Sequence, residues 1–231
     1  MERFALLAIV VGLGAALAVL MWKTTRAAKA RSALRAGYFD AVQPLFSKGL
    51  KAVAPTGFPR LSGQVQGQTF DLQAVPDTLT FRKLPALWLL VTLPAPLPVR
   101  GVFDLMIRPM GVEPFSNFST LNAQIAVPDG FPTDCAIRCD DPALIPPEVL
   151  LRRHLGLFAD ARVKELVISP KGVRIVWLAE EADRGRYLLF RDAEMGVVPL
   201  PPEQLHPLMA ALLALQADIL ATYAPKESLT A

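Results

Sequence analysis

From Phe4 to Trp22 the chain reads FALLAIVVGLGAALAVLMW, about 19 positions without an ionisable side chain. As a helix rising ~1.5 Å per residue this stretch spans roughly 28 Å, close to the ~30 Å hydrocarbon core of a bilayer. Gly12 and Gly14 do not oppose that reading, because in lipid the backbone satisfies its own hydrogen bonds and glycine is tolerated. Trp22 falls where interfacial aromatics are favoured. A cleaved secretory signal is the alternative, and Ala28-Lys29-Ala30 offers a small-x-small site for it. Such signals carry their positive charge before an apolar run of ~7–15 residues. Here Glu2 offsets Arg3, the run is longer, and Lys23, Arg26, Lys29, Arg31 and Arg35 all follow it. The chain therefore reads as anchored by residues 1–22.

The same five cations orient the span. Lys and Arg beside a membrane helix are retained on the cytoplasmic side, so the expected topology is N-terminus out with the following domain in the cytoplasm. A sequon at Asn117-Phe118-Ser119 has no meaning there. Of the 24 basic residues six lie at or before Arg35, leaving 18, while all of the 21 acidic residues except Glu2 lie beyond it, leaving 20. The basicity thus belongs to the lipid boundary, where each cation gains roughly 1 kcal/mol against anionic headgroups, and not to the domain. Nucleic-acid binding needs a basic stripe on the domain itself and is not expected.

Segments 23–59 and 60–231 read as a basic juxtamembrane helical segment with linker and a soluble domain. Leu34, Tyr38, Val42, Phe46 and Leu50 recur at helical period, with Gly37 and Pro44 as breaks, which predicts a helix in two pieces. Beyond residue 60 short extended runs alternate with turn residues. Strands are expected at 61–65 and 69–75 around a Gln66-Gly67 turn, and at 87–93, which is apolar almost throughout, as suits a strand covered on both faces. Further strands are expected at 102–107, near 136–138, at 163–168 and 173–177, and at 187–191. Pro146-Pro147-Glu148 reads as a helix start, and 202–222 as a closing helix. The sum is an α+β domain of antiparallel strands with helices on one side.

Chemical signatures are sparse. No nucleophile elbow, phosphate-binding loop or HExxH occurs, and Gly12-Leu13-Gly14 lies inside the span with no strand before it. No catalytic residue, cofactor or metal is therefore assigned. Cys135 and Cys139, with Ile137 between them and Asp140 and Asp141 behind, could hold an ion, but in an extended segment they share one core-facing side. Arg82, Lys83, Arg100 and Arg108 could converge on an anion, though acidic residues balance them. Phe115, Phe118 and Phe131 stand in a Pro/Gly/Asn-rich region and could line an apolar partner groove. His154 and His206 fit packing or capping positions in their helices.

With its N-terminal anchor, its basic segment, Gly63 and Gly67 spaced G-x-x-x-G in a hairpin, its Pro94–Pro98 turn and its closing amphipathic helix, the chain resembles a loose class of uncharacterised bacterial inner-membrane proteins. That resemblance implies an inner-membrane location and carries no activity with it. The expected role is a membrane-tethered interaction or scaffold module, whose anchor concentrates the domain near protein partners at the membrane surface. A small-ligand binder or enzyme, using scattered strand-end residues such as Arg82, Asp104, Arg108 and Asp141, is the alternative. A third expectation is lipid sensing through Lys29, Arg31 and Arg35.

Ala8, Gly12 and Ala16 recur at four-residue spacing on one side of the span, the small-residue pattern that lets membrane helices approach and would support a homodimer. Gly12→Leu is expected to weaken such a dimer by roughly 1–2 kcal/mol. A membrane two-hybrid reporter carrying the span reads this directly, and a signal equal to a monomeric control overturns it.

Overall fold

The computed structural model describes residues 2–78, 84–190 and 193–224. It opens with one continuous helix, α1 (Glu2–Ala36). By length and composition α1 can cross a membrane. From Ile9 to Trp22 its large apolar side chains are each more than half exposed, covered by nothing else among the described residues. Thr24 and Thr25 turn their hydroxyls back onto the carbonyls of Met21 and Trp22 (2.9 Å each). Gly37 ends the helix, its amide shared between the Ala33 and Leu34 carbonyls.

Among the described residues nine antiparallel strands form a single sheet in the order β1-β2-β3-β4-β9-β8-β5-β7-β6. The first four, β1 (Ser47–Val53), β2 (Pro59–Val65), β3 (Gln68–Asp77) and β4 (Ala86–Pro94), make a meander. The hairpin of β8 (Val163–Ser169) and β9 (Gly172–Glu181) follows in space, then β5 (Phe103–Ile107), β7 (Cys135–Cys139) and β6 (Ala123–Ile125). Gln66 and Gly67 both take positive φ (52° and 82°), the geometry that matches a two-residue turn to strand twist.

Alternation in the central strands divides the apolar residues between two faces. Leu87, Leu89, Val91 and Leu93 join Val173, Ile175 and Trp177 on the inner face. There α4 (Pro202–Tyr223) covers them with Leu205, Leu208, Leu212, Leu215 and Ile219. The short α2 (Glu148–Arg153) packs beside it through Leu150 and Leu151. By length and composition α4 is also a candidate span, but this buried side ties it to the sheet. On the outer face Leu90, Met106 and Val176 meet Phe115 and Phe118 from the loop after β5. The fold is α+β, with an N-terminal candidate anchor.

Three expectations are corrected. The second helical piece expected up to residue 53 is instead a buried turn, a 3-10 turn at Gln43–Leu45 and the edge strand β1. Tyr38, Val42 and Phe46 keep the apolar side read from their spacing, but Leu34 is 47% exposed and Leu50 78%, the latter because it lies on a strand with no neighbour beyond it among the described residues. The domain therefore begins near Tyr38, before the boundary expected at 60. The strand expected at 187–191 is a helix, α3 (Arg184–Phe190), because the Asp183 carboxylate caps the Arg186 amide (2.7 Å) and starts a helical turn.

Gly172, at φ 135°, presses its backbone on β4, where an added Cβ would sit 2.3 Å from the Leu93 carbonyl oxygen. Gly172→Ala is therefore expected to destabilise the domain by at least about 2 kcal/mol, measured by denaturant unfolding. An unchanged midpoint overturns this account of the turn.

Candidate functional site

Two places concentrate unusual physics, and the first is the joint between α1 and the domain. Tyr38, Phe39 and Phe58 form a buried aromatic cluster at the helix end (centroids 5.4 and 6.3 Å from Tyr38). Burial pushes the Tyr38 hydroxyl far up, so it stays neutral. The Tyr38 carbonyl accepts the Leu200 amide at 2.8 Å. Arg35 lays its guanidinium over Phe58 (5.5 Å) and donates to the Ala193 carbonyl at 3.3 Å. Of the five cations that follow the apolar stretch, Arg35 is thus half-buried and fastened to the domain, while Lys23, Arg26 and Lys29 remain exposed and Arg31 is partly covered. Arg26 stacks over Trp22 at 5.5 Å. Phe4, Gly12 and Ala16 lie on exposed helix surface, and a Cβ at Gly12 would meet nothing within 4 Å.

The second place is on the outer face. Asp104 of β5 and Glu165 of β8 are 3% and 1% exposed and hydrogen-bond to one another. Burial raises both carboxyls: Asp104 is pushed up to about 9, with the Glu165 charge adding to the effect, and Glu165 up to about 7. The pair therefore retains a shared proton near neutral pH. Ser116 donates to Glu165 and accepts the Phe118 amide at 2.9 Å, which pins the loop after β5 against the sheet. Lys164 fixes the base of that loop, donating to the carbonyls of Ile107 (2.8 Å) and Arg108 (2.7 Å). Arg174 donates to Thr92 at 3.0 Å and lowers both carboxyls electrostatically.

Asp104 Oδ1 finds no hydrogen-bond partner among the described residues. The cavity beside it, about 90 Å³, is bordered by Ser116, Asn117 and Arg174. At ~30 Å³ per water it holds only a few waters, far below the ~300–1,000 Å³ of organic-ligand sites. Chemically the arrangement can hold a proton and couple it to the loop.

The other residues singled out in the sequence are dispersed. Arg108 pairs with Asp134 at 3.1 Å, Asp141 caps the Ala143 amide at 2.9 Å, and Arg82 and Lys83 lie outside the described residues. Phe115 and Phe118 are buried on the outer face, and Phe131 is buried in the inner core under the Arg152 guanidinium. The three rings line no common groove, because the loop needs the first two to cover the sheet. Cys135 and Cys139 flank the buried Ile137 on β7, and burial raises both thiols, which disfavours the reactive thiolate. Glu165 escapes sequence reading; its signal is a lone carboxylate inside an apolar strand, as with Asp104. Compared with family models, curated proteins and solved structures, the chain matches none.

The folded chain holds the protons of the acid pair more tightly than an unfolded one, whose carboxyls titrate near ~4. The pair's contribution to stability is therefore complete below about pH 4 and is lost as pH rises through about 7 and about 9. Asp104→Asn keeps a donor for Glu165 and removes the share of that loss due to Asp104. The variant is expected to unfold roughly 3–10 °C above the parent at pH 9, with the difference shrinking towards pH 5, in thermal melts read side by side. A difference independent of pH overturns the shared proton.

Proposed function

We propose that the protein is a membrane-tethered interaction module: a single-pass inner-membrane protein with its N-terminus outside and its domain in the cytoplasm. The observation that carries this reading is α1 itself, whose apolar surface is left uncovered while its far end is locked into the domain by Arg35 and the Tyr38 cluster. A helix so exposed needs lipid, or a second copy of itself, as its solvent. The 14 residues from Lys23 to Ala36 continue the helix. They add ~21 Å beyond Trp22, more than the ~5–7 Å of a headgroup layer. With α1 upright, the domain stands roughly 15 Å off the headgroups, within reach of proteins at the membrane surface and out of direct contact with lipid.

A partner meets a domain whose outermost strand, β1, has every residue exposed and a free backbone edge. Strand addition along that edge suits protein recognition through main-chain hydrogen bonds. An interaction role is also in keeping with the acid cavity, which is too small for an organic substrate.

Two measurements test the tether. The full chain is expected to stay with membranes in alkaline carbonate, whereas replacing Leu13 and Leu17 by Arg, each costing roughly 2.5–3.5 kcal/mol of insertion, is expected to release it. Release of the parent chain overturns the anchor. Alkaline-phosphatase activity from a reporter fused after Ala231, without activity from a cytoplasmic reporter there, overturns the topology alone.

A further inference from the structure

Between α2, the 3-10 turn that follows it (Leu155–Ala159) and α4, the inner face is incompletely packed. A cavity of about 260 Å³ remains there. Leu157, Leu166, Ile175 and Leu215 supply an apolar lining, and the space is left by two small residues, Gly156 and Ala211. Elsewhere on its buried side α4 carries Leu, Met or Ile. Protein interiors seldom leave voids larger than a water, and aliphatic cavities of only about 150 Å³ already take up apolar molecules.

The lining is not uniformly apolar. His154 Nε2 lies 3.0 Å from Asp218 Oδ2, bridging the end of α2 to α4. Arg153 also lines the cavity, 60% exposed, its nearest approach to Asp218 only 4.0 Å, and with no hydrogen bond among the described residues. His154 takes Asp218 Oδ2 at 3.0 Å and Arg153 pairs with the same oxygen only at 4.0 Å, so the guanidinium at the opening keeps donors to offer an oxyanion. No serine or cysteine lines the cavity, so it offers binding without a nucleophile.

We infer that this cavity is a binding site for a small anionic amphiphile, a monocarboxylate of about ten heavy atoms whose chain lies against Leu157, Leu166 and Leu215 and whose carboxylate meets Arg153. At ~30 Å³ per small group the space matches one such chain and excludes a diacyl lipid. A ligand of this size binds with a Kd between about 1 µM and 1 mM. The site does not depend on whether α1 enters a bilayer, so failure of one reading leaves the other standing.

The test uses the full chain in phosphatidylcholine nanodiscs and octanoate bearing a photoreactive diazirine near its chain end. Photolabel is expected on Leu157, Ala211 or Leu215, competed by excess octanoate and not by octylammonium. Arg153→Gln is expected to lower labelling about tenfold. Ala211→Leu fills the space and is expected to abolish labelling with the melting temperature maintained or raised. Gly156→Leu, whose Cβ meets nothing within 4 Å, serves as a second filling variant should the first unfold. Label confined to α1, labelling unchanged in a folded filling variant, or equal competition by octylammonium overturns the proposal. So does labelling of the same residues by a phospholipid with a photoreactive acyl chain, because the space would then take a membrane lipid.

Discussion

A sheet has two faces, and among the described residues α4 and α2 cover one. That constraint organises the domain. The inner face receives α4 and α2 and becomes an ordinary aliphatic core. The outer face must be closed by a loop, and Phe115 and Phe118 cover only the patch around Leu90, Met106 and Val176. Next to that patch the outward positions carry Asp104, Glu165 and Arg174, so closing the loop buries charge. A buried carboxylate pair is costly unless it is neutralised or paired, and here a shared proton, Ser116 and Arg174 do both. The raised carboxyls are thus a consequence of how the second face is covered.

The elements legible from sequence are those whose signal is local. The 2-residue period and the Gln66-Gly67 and Ser169–Gly172 turns announce both hairpins, and the almost wholly apolar run at 87–93 announces the central strand buried on both sides. Where reading fails, a tertiary partner decides the outcome. Leu34, Tyr38, Val42, Phe46 and Leu50 keep a helical spacing, yet β2 takes residues 47–53 as a sheet edge, and Gly63 admits the Gly49 Cα at close range to allow the pairing. Tyr187, Leu188 and Leu189 resemble a strand, but Asp183 immediately before the stretch caps the Arg186 amide and starts α3.

Sites were less legible than elements, for a related reason. Asp104 and Glu165 are 61 positions apart and meet only because β5 pairs with β8 across a chain reversal that no local pattern records. Arg35 looks like one more orienting cation among five, and only the return of residues 193–200 to the end of α1 gives it a carbonyl to hold. His154 and Asp218 likewise come from separate helices. Pattern reads what a residue is beside in the chain, and these groups are defined by what lies beside them in space.

The joint at Tyr38 also removes something that most tethered domains possess, a hinge. A polypeptide linker would decouple the domain from its anchor, whereas α1 runs unbroken from the apolar stretch to the aromatic cluster that Leu200 and Arg35 clamp. With α1 in a bilayer, as proposed, tilting or twisting it must swing the sheet as a lever ~50 Å long, with β1 travelling in a fixed arc. On that proposal bilayer thickness, which sets the tilt of a spanning helix, is a mechanical input to where that edge points.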